Sequence, residues 1–336
     1  MNDPRERMRG TAGQTRGEHA LFDLAGPLLK RNSVYHELSA FSHQRPWPEL
    51  RADRDDLSIL PSMLRDVEAA VISNAHLSAD YNVLALAAPE IAVDAQPGQF
   101  VMVKPSERAN PLLRRPFSIF EILRDGERVT GLSLLSKRIG TSTELLFHAQ
   151  PGDRILCLGP LGKPFVPVAP PIEAWMVAGG VGLAPFATLT EALTRRGTRA
   201  RLYYGARRAS DLFYLDFFER LGVHLVLATE DGSRGVRGRI TVALERDLRE
   251  QFPESAIYAC GPEPMLAAVA QLAARAGRPS QVSVERVMGC GLGGCYSCVI
   301  PVRDPSGSHF VRSCLAGPVF DGKAIDWSAS SGDRPV

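Results

Sequence analysis

Charge of one sign, cysteine and long apolar runs are all scarce in this chain of 336 residues. Lys and Arg number 39 against 37 Asp and Glu, a formal net charge of +2, so the balance calls for neither nucleic acid nor an acidic membrane as partner. The longest charge-free apolar stretch, 174–190, is interrupted by Gly179, Gly180, Gly182 and Pro185. It reads as strand, turn and helix start, whereas a membrane-crossing helix needs about 20 mostly apolar residues. The first residues mix Arg5, Arg7 and Arg9 with Asp3 and Glu6 and show no apolar core of a secretory signal, so the expected location is cytoplasmic. Only six cysteines are present, and four of them crowd one segment while Cys157 and Cys260 stand alone. That distribution favours a metal or cluster over disulfide bridges. Low-complexity composition is missing too: 30 glycines and 25 prolines fall well short of the roughly 25–30% that marks it.

The length suits two or three domains, and the chain divides by its patterns. Residues 1–65 carry mixed charge, Pro27, Pro46, Pro48 and Pro61, and no sustained period. They are expected to form an N-terminal extension, partly disordered or docked on a partner, with short helices at 19–30 and 33–41. Over 66–170, strand-length runs at 67–72, 81–87, 100–104, 117–123, 129–135 and 154–158 predict a small β-barrel, with one helix at 143–148. Asp125-Gly126 marks a hairpin between the fourth and fifth runs. Over 171–279, strands at 174–178, 201–204, 224–229 and 256–259 alternate with helices at 185–196, 211–220, 241–251 and 265–276. That rhythm predicts a parallel sheet covered by helices. Residues 280–330 read as a strand, a glycine-cysteine loop and a hairpin turning at Asp304-Pro305-Ser306-Gly307.

The sharpest motif is Cys290-Gly-Leu-Gly-Gly-Cys295-Tyr-Ser-Cys298, with Cys314 a short distance beyond. C-x4-C-x2-C…C is the plant-type [2Fe–2S] spacing, in which four thiolates hold two irons. A structural zinc site or a pair of disulfides would use the same residues, but zinc commonly takes two short knuckles, and the second is missing here. Three other motifs are ambiguous singly. Gly179-Gly180-Val181-Gly182 lies between a predicted strand and helix, where glycine permits close approach of a pyrophosphate or serves steric needs alone. Leu113-Arg114-Arg115-Pro116-Phe117-Ser118 puts cation, ring and hydroxyl on one short strand; period 2 turns Arg114, Pro116 and Ser118 one way and Arg115 and Phe117 the other, unless the proline distorts the edge. A solvated arginine pair explains the same residues. Cys260-Gly261-Pro262 ends a predicted parallel strand, where ligands bind and where a buried small residue is equally at home.

The order of these motifs is more telling than any one of them. A barrel with Arg-x-x-Ser, a glycine turn in an α/β domain and then Cys-Gly-Pro resembles the ferredoxin–NADP reductase superfamily. With the cysteine loop and Cys314-Leu-Ala-Gly317-Pro318-Val319-Phe320, residues 66–327 resemble the electron-transfer subunits of NAD-linked (class 1B) dihydroorotate dehydrogenases. Pro97-Gly98-Gln99-Phe100, Gly159-Pro160-Leu161-Gly162 and Thr229-Glu230-Asp231-Gly232-Ser233 carry the likeness through the middle of the chain. The resemblance implies a multidomain fold: a β-barrel flavin domain, a Rossmann-like NAD domain and a C-terminal [2Fe–2S] domain. It implies that Arg115 pairs with the FAD pyrophosphate, Ser118 hydrogen-bonds the flavin, Phe117 packs on its ring, and Pro116 shapes the same strand. Gly140 and Thr143 would form the pyrophosphate turn, with Ser142 in place of a second glycine. Gly179, Gly180 and Gly182, with Gly261 and Pro262, would cradle NAD(H), and Cys260 would lie near the nicotinamide.

The implied activity is an oxidoreductase subunit of pyrimidine biosynthesis, passing electrons through [2Fe–2S] and FAD to NAD+. The implied partner is an FMN-containing dihydroorotate dehydrogenase catalytic subunit in a heterotetramer, because no dihydroorotate site is evident in this chain. Rival readings are a reductase subunit of a hydrogenase or sulfite reductase complex, and a non-catalytic redox sensor. Arg207 and Arg208 leave NAD against NADP open, and Val319, Phe320 and Trp327 are candidates for partner contact, core packing competing for Phe320.

Overall fold

The computed structural model describes residues 64–105, 111–250 and 253–330. The expected extension, apart from Leu64 and Arg65, lies outside the described residues. Seven antiparallel strands come first: β1 (Arg65–His76), β2 (Tyr81–Ala87), β3 (Phe100–Lys104), β4 (Arg115–Ser118), β5 (Ile122–Asp125), β6 (Arg128–Lys137) and β7 (Arg154–Leu161). They lie in the order β4-β3-β7-β1-β2-β6-β5. The sheet curls on itself, because the chain steps from one edge to the other within residues 119–121. There the Ile119 N–H donates to the Gln99 carbonyl (3.0 Å) and the Phe120 N–H to the Ser133 carbonyl (2.9 Å). The single strand expected over 117–123 is therefore two, each half paired with a different neighbour. Inside the curl, Val71, Leu84, Leu86, Val101, Leu132, Leu134 and Ile155 are buried together. Gly126 turns the β5–β6 hairpin at φ +58, the left-handed conformation such turns ask of glycine.

The second sheet holds β8 (Glu173–Gly179), β9 (Ala200–Ala206), β10 (His224–Thr229), β11 (Val236–Arg237), β12 (Ser255–Cys260) and β13 (Ser280–Ser283). The hairpin β14 (Val299–Asp304) and β15 (Gly307–Arg312) stands apart, and β16 (Val319–Asp321) returns to pair antiparallel with β13. The sheet runs β11-β10-β9-β8-β12-β13-β16, so β13 and β16 continue it into the segment expected to carry the cluster. Period-2 alternation splits the core in two. Met176, Leu202 and Tyr204 face helices Ala184–Arg195 and Leu215–Arg220, while Trp175, Val177 and Tyr203 face helices Ile240–Arg249 and Glu263–Arg275. Helix Ala184–Arg195 begins with Pro185 in its first turn, where no N–H is missed, and buries Phe186, Leu189 and Leu193 at helical spacing. The expected helix 211–220 starts late, at Leu215, because Tyr214 sits at φ 59.

The two sheets share a core. Val83 and Leu135 of the curled sheet, with Phe120 between β4 and β5 and Phe165 beyond β7, are buried with the apolar residues of the second, and Phe120 meets Tyr214 edge-on at 4.7 Å. Strand order reverses between β8 and β12. Ligands of open α/β sheets bind at that switch point, outside the carboxyl ends of the strands.

Candidate functional site

Two adjoining clefts open at the switch point. The first, about 670 Å³, lies against the curled sheet, and Arg115, Pro116, Phe117, Ser118, Gly140 and Thr143 all line it, with Cys260 at its far side. Strand β4 lies at the edge of its sheet, paired with β3 in unbroken register, and all four of its residues line the cleft. Pro116, which has no N–H to offer, loses nothing at such an edge. The two arginines part company. Arg114 makes a bidentate pair with Asp66 (2.8 and 2.9 Å), whereas Arg115 stays at the cleft and, among the described residues, donates only to the carbonyls of Leu113 and Arg114. The Thr143 hydroxyl accepts from the N–H groups of Ile139 (2.9 Å) and Gly140 (3.0 Å) and donates to the Gly140 carbonyl (2.9 Å). Its first work is to fix the turn that enters helix Thr141–Phe147.

The second cleft, about 860 Å³, is lined by Gly179, Gly180 and Pro262, with Arg207 and Arg208 at the end of β9. Both volumes fall within the range of small-molecule and cofactor sites. The glycines divide by role. Gly180 has φ +57 and open space where a Cβ would stand. Gly182 is buried, lines neither cleft, and lies so close to the Cys260 carbonyl and to Gly261 Cα (2.7 Å from a Cβ position) that any side chain would overlap them. A Cβ on Gly261 would in turn stand only 3.0 Å from the Gly179 nitrogen. The glycine turn and the Cys-Gly-Pro turn are thus packed backbone to backbone.

Val181, Lys137 and Glu285 line both clefts. Glu285 stands open to them yet is enclosed by protein on its other sides, and burial raises its carboxyl above the ordinary carboxylate range. Cys260 is buried, and its thiol is pushed far up, chiefly by burial and further by the nearby Glu285 charge. It is therefore a neutral thiol, not a nucleophilic thiolate. Sequence reasoning missed Glu285 and Lys137, since a lone carboxylate after a strand and a lysine ending one carry no motif.

The four clustered cysteines meet in two pairs. Cys295 hydrogen-bonds Cys290, and Cys298 hydrogen-bonds Cys314. The Ser297 hydroxyl, 3.1 Å from the Cys295 sulfur, holds that thiol down to about 6. The hydrogen bond from Cys314 brings Cys298 down to about 6, while Cys314 keeps the proton they share. Among the described residues no three His, Cys, Asp or Glu converge on one point as a single ion would require. Two thiol pairs side by side fit a centre with two irons better than a mononuclear zinc site. Cys298 and Cys314 are buried with Met102, Leu158 and Leu161 of the curled sheet. Phe100 and Met288 belong to that same cluster and also line the first cleft. One apolar wall thus separates the thiols from the cleft.

The three residues put forward for partner contact are otherwise employed. Val319 is buried in the core between the sheets. Phe320 and Trp327 pack on the opposite face of the second sheet, and the Trp327 indole donates to the Gly322 carbonyl (3.0 Å). The exposed apolar side chains of the cysteine loop are Leu292 and Tyr296.

No helix among the described residues is long and apolar enough to cross a membrane. Residues 176–271 match the oxidoreductase NAD-binding domain family, and residues 285–326 match the iron–sulfur cluster binding domain of dihydroorotate dehydrogenase B. The chain is 36% identical over 240 residues to the dihydroorotate dehydrogenase B (NAD(+)) electron transfer subunit of Desulforamulus reducens, covering 71% of this chain and 90% of that one. It is 40% identical to the subunit of the same name from Geobacillus kaustophilus over 227 residues, covering 67% and 84%. Among solved structures, an NADH-dependent reduced ferredoxin–NADP oxidoreductase superposes with a TM-score of 0.69 at 26% identity, covering 78% of this chain and 91% of that one. A ferredoxin–NADP+ reductase from Neisseria gonorrhoeae, 22% identical, shares the fold at a TM-score of 0.55 over 63% of this chain and 92% of its own. With ferredoxin reductase architecture, an NAD-binding domain and this particular iron–sulfur domain in one chain, it belongs to the family of dihydroorotate dehydrogenase B (NAD(+)) electron transfer subunits.

Proposed function

We propose that this oxidoreductase chain links dihydroorotate oxidation, on a separate FMN-containing catalytic subunit in a cytoplasmic heterotetramer, to reduction of NAD+. It would hold FAD in the 66–170 region, NAD(H) in 171–279 and one [2Fe–2S] cluster in 280–330. The observation that carries the reading is the shared wall: the two clefts adjoin at Val181 and Glu285, and Phe100 and Met288 join the first cleft to the buried thiols. A bound flavin supplies what the pair of outer carriers lacks, since nicotinamide takes hydride while an iron–sulfur centre takes single electrons.

The chain's own residues position these groups. Arg115, without a carboxylate partner among the described residues, is placed to pair with the FAD pyrophosphate, as charge-assisted bonds to phosphate are among the strongest available. Gly140 and Thr143 offer the turn beneath it, while Pro116, Phe117 and Ser118 offer an edge, a ring and a hydroxyl to the flavin. Gly179, Gly180, Gly261 and Pro262 give the dinucleotide a floor without side chains, and Gly182 lets that floor close. Cys260 contributes a small neutral surface where the clefts meet, so no charge stands in the way of hydride. Cys290, Cys295, Cys298 and Cys314 are the cluster ligands. The match of residues 285–326 supports the dihydroorotate reading over a hydrogenase or sulfite reductase partner.

Reconstitution tests the proposal. The isolated, flavin-loaded chain should reduce dyes with NADH but form no NADH from dihydroorotate. Adding the FMN subunit should switch that reaction on. Full dihydroorotate activity in the isolated chain, or none with the partner present, would refute it.

A further inference from the structure

We infer that Arg312 is a positioning residue for the cluster, bracing the cysteine loop through Gly293 and Tyr296 and raising the reduction potential of the centre. The inference rests on the [2Fe–2S] reading of the four cysteines.

The loop 289–298 bears three of the four ligands without a strand or helix of its own. Its glycines at 289, 291, 293 and 294 let it wrap tightly and also make it easy to deform. Short contacts within the loop hold it: the Gly289 N–H donates to the Ser297 hydroxyl (2.8 Å), the Leu292 N–H to the Cys290 sulfur (3.3 Å), and the Ser297 hydroxyl lies 3.1 Å from the Cys295 sulfur. The stronger tie comes from outside. Arg312 ends β15, two residues before Cys314, and reaches across to the loop. Its Nη1 donates to the Gly293 carbonyl at 3.0 Å and to the Tyr296 hydroxyl at 3.4 Å, and its guanidinium lies 4.8 Å from the centre of the Tyr296 ring. One side chain therefore grips the loop on both sides of Cys295 and ties it to the strand that delivers Cys314.

Two further observations give this grip a redox consequence. The Gly293 backbone N–H faces the Cys314 sulfur, so Arg312 holds, by its carbonyl, the residue that borders the fourth ligand. Gly293 is also seated against Leu315, where a Cβ would overlap that side chain, so it has one position and Arg312 locks it there. Tyr296, between ligands Cys295 and Cys298, sits at φ 55 while its side chain is exposed. A non-glycine residue stays in that region only when its surroundings hold it, and the Arg312 stack is such a hold. Reduction adds negative charge to a thiolate-bound centre. A nearby cation and an N–H held facing a ligand sulfur both favour the reduced form, because net charge and hydrogen bonds to sulfur are the protein's levers on such potentials. Arginine suits the task better than lysine, since only a planar fork can stack on a ring and donate to a carbonyl at once.

The test uses the full chain purified anaerobically as wild type, Arg312→Gln and Arg312→Lys. Iron and labile sulfide are counted, and a redox titration is followed by visible absorption and electron paramagnetic resonance. Arg312→Gln should shift the cluster's redox equilibrium about tenfold toward the oxidised form, about 59 mV for one electron, with the flavin potential unmoved. Arg312→Lys should recover part of that shift by restoring charge without the fork. A loaded Arg312→Gln protein with the wild-type potential overturns the inference. Should the Gln variant fail to hold iron and sulfide while keeping flavin, the Lys variant decides: an intermediate potential or faster loss of iron to a chelator supports the brace, and wild-type values on both counts overturn it. Zinc without sulfide in the wild-type chain would instead sink the [2Fe–2S] reading itself.

Discussion

Replacing Gly182 by Ala asks whether the glycine turn is built for packing as much as for ligand. The added Cβ would overlap the Cys260 carbonyl oxygen and stand 2.7 Å from Gly261 Cα. Both are backbone atoms at the end of β12, which is held on either side by β8 and β13, so no flexible side chain can yield. Gly182 does not have a positive φ, and the penalty is therefore steric alone. Overpacking a core costs about 1–3 kcal/mol, and a rigid backbone on the receiving side puts this case near about 3 kcal/mol. At about 2–4 °C per kcal/mol for domains of roughly this size, Tm should fall by about 6–12 °C. Relief must also part the two turns that floor the dinucleotide cleft, so KM for NADH should rise with it. Gly180→Ala is the contrast. Nothing lies within 4 Å of its Cβ position, so it should cost only about 1 kcal/mol for the left-handed backbone while still placing a methyl in the cleft. Thermal melts by circular dichroism and NADH–dye kinetics measure both variants. A Gly182→Ala protein melting within 2 °C of wild type, with unchanged KM, would refute the reasoning.

Cys298→Ser should abolish the visible and paramagnetic signature of the cluster while flavin occupancy holds, since the thiols and the first cleft are separated by Phe100 and Met288; parallel loss of flavin would contradict that separation. Arg115→Ala should weaken FAD binding about tenfold or more, the loss of one charge-assisted bond, whereas Arg114→Ala, which breaks an exposed pair with Asp66, should leave affinity within about threefold; equilibrium flavin titration separates them, and the reverse ranking would move the role to Arg114. Burial raises the Glu285 carboxyl above its ordinary 4.5, so its contribution to stability is complete below that value and is lost as pH rises through the folded one. Glu285→Gln should therefore flatten the fall in Tm of the flavin-free protein from pH 4.5 toward neutrality, and an identical slope in both proteins would exclude Glu285 as its source.

Both sheets were legible because their signals are local. Strand-length apolar runs set off by turn residues in the first, strand–helix alternation in the second and the spacing of Cys290, Cys295 and Cys298 all lie within a short window of sequence. The cysteine loop is the extreme case, with three ligands inside nine residues. What escaped depends on partners distant in the chain. The break at 119–121 exists because Ser118 pairs with Phe100 in β3 while Ile122 pairs with Leu132 in β6, and no property of those residues announces a change of neighbour. Val319, Phe320 and Trp327 follow the cluster motif as candidates for partner contact, with core packing competing for Phe320; β16 carries Val319 and Phe320 back to β13, where Val319 joins the core between the sheets and Phe320 packs on the opposite face with Trp327.

The same dependence on topology explains why Glu285 is absent from any motif and yet stands where the clefts meet. It lies two residues beyond the end of β13, and β12 and β13 lie side by side because the chain, having laid β9, β10 and β11 on one side of β8, returns to build on the other. Ser283, opposite Cys260 in that register, hydrogen-bonds the thiol and opposes the rise that burial imposes on it. From Ser283 to Met288 the chain then runs along the first cleft and straight into the cysteine loop. One continuous segment thus borders the neutral thiol, the junction of the clefts and the apolar wall before the ligands. A perturbation of β13 pairing should therefore register at all three places at once, which separate domains joined by a loose linker would not do.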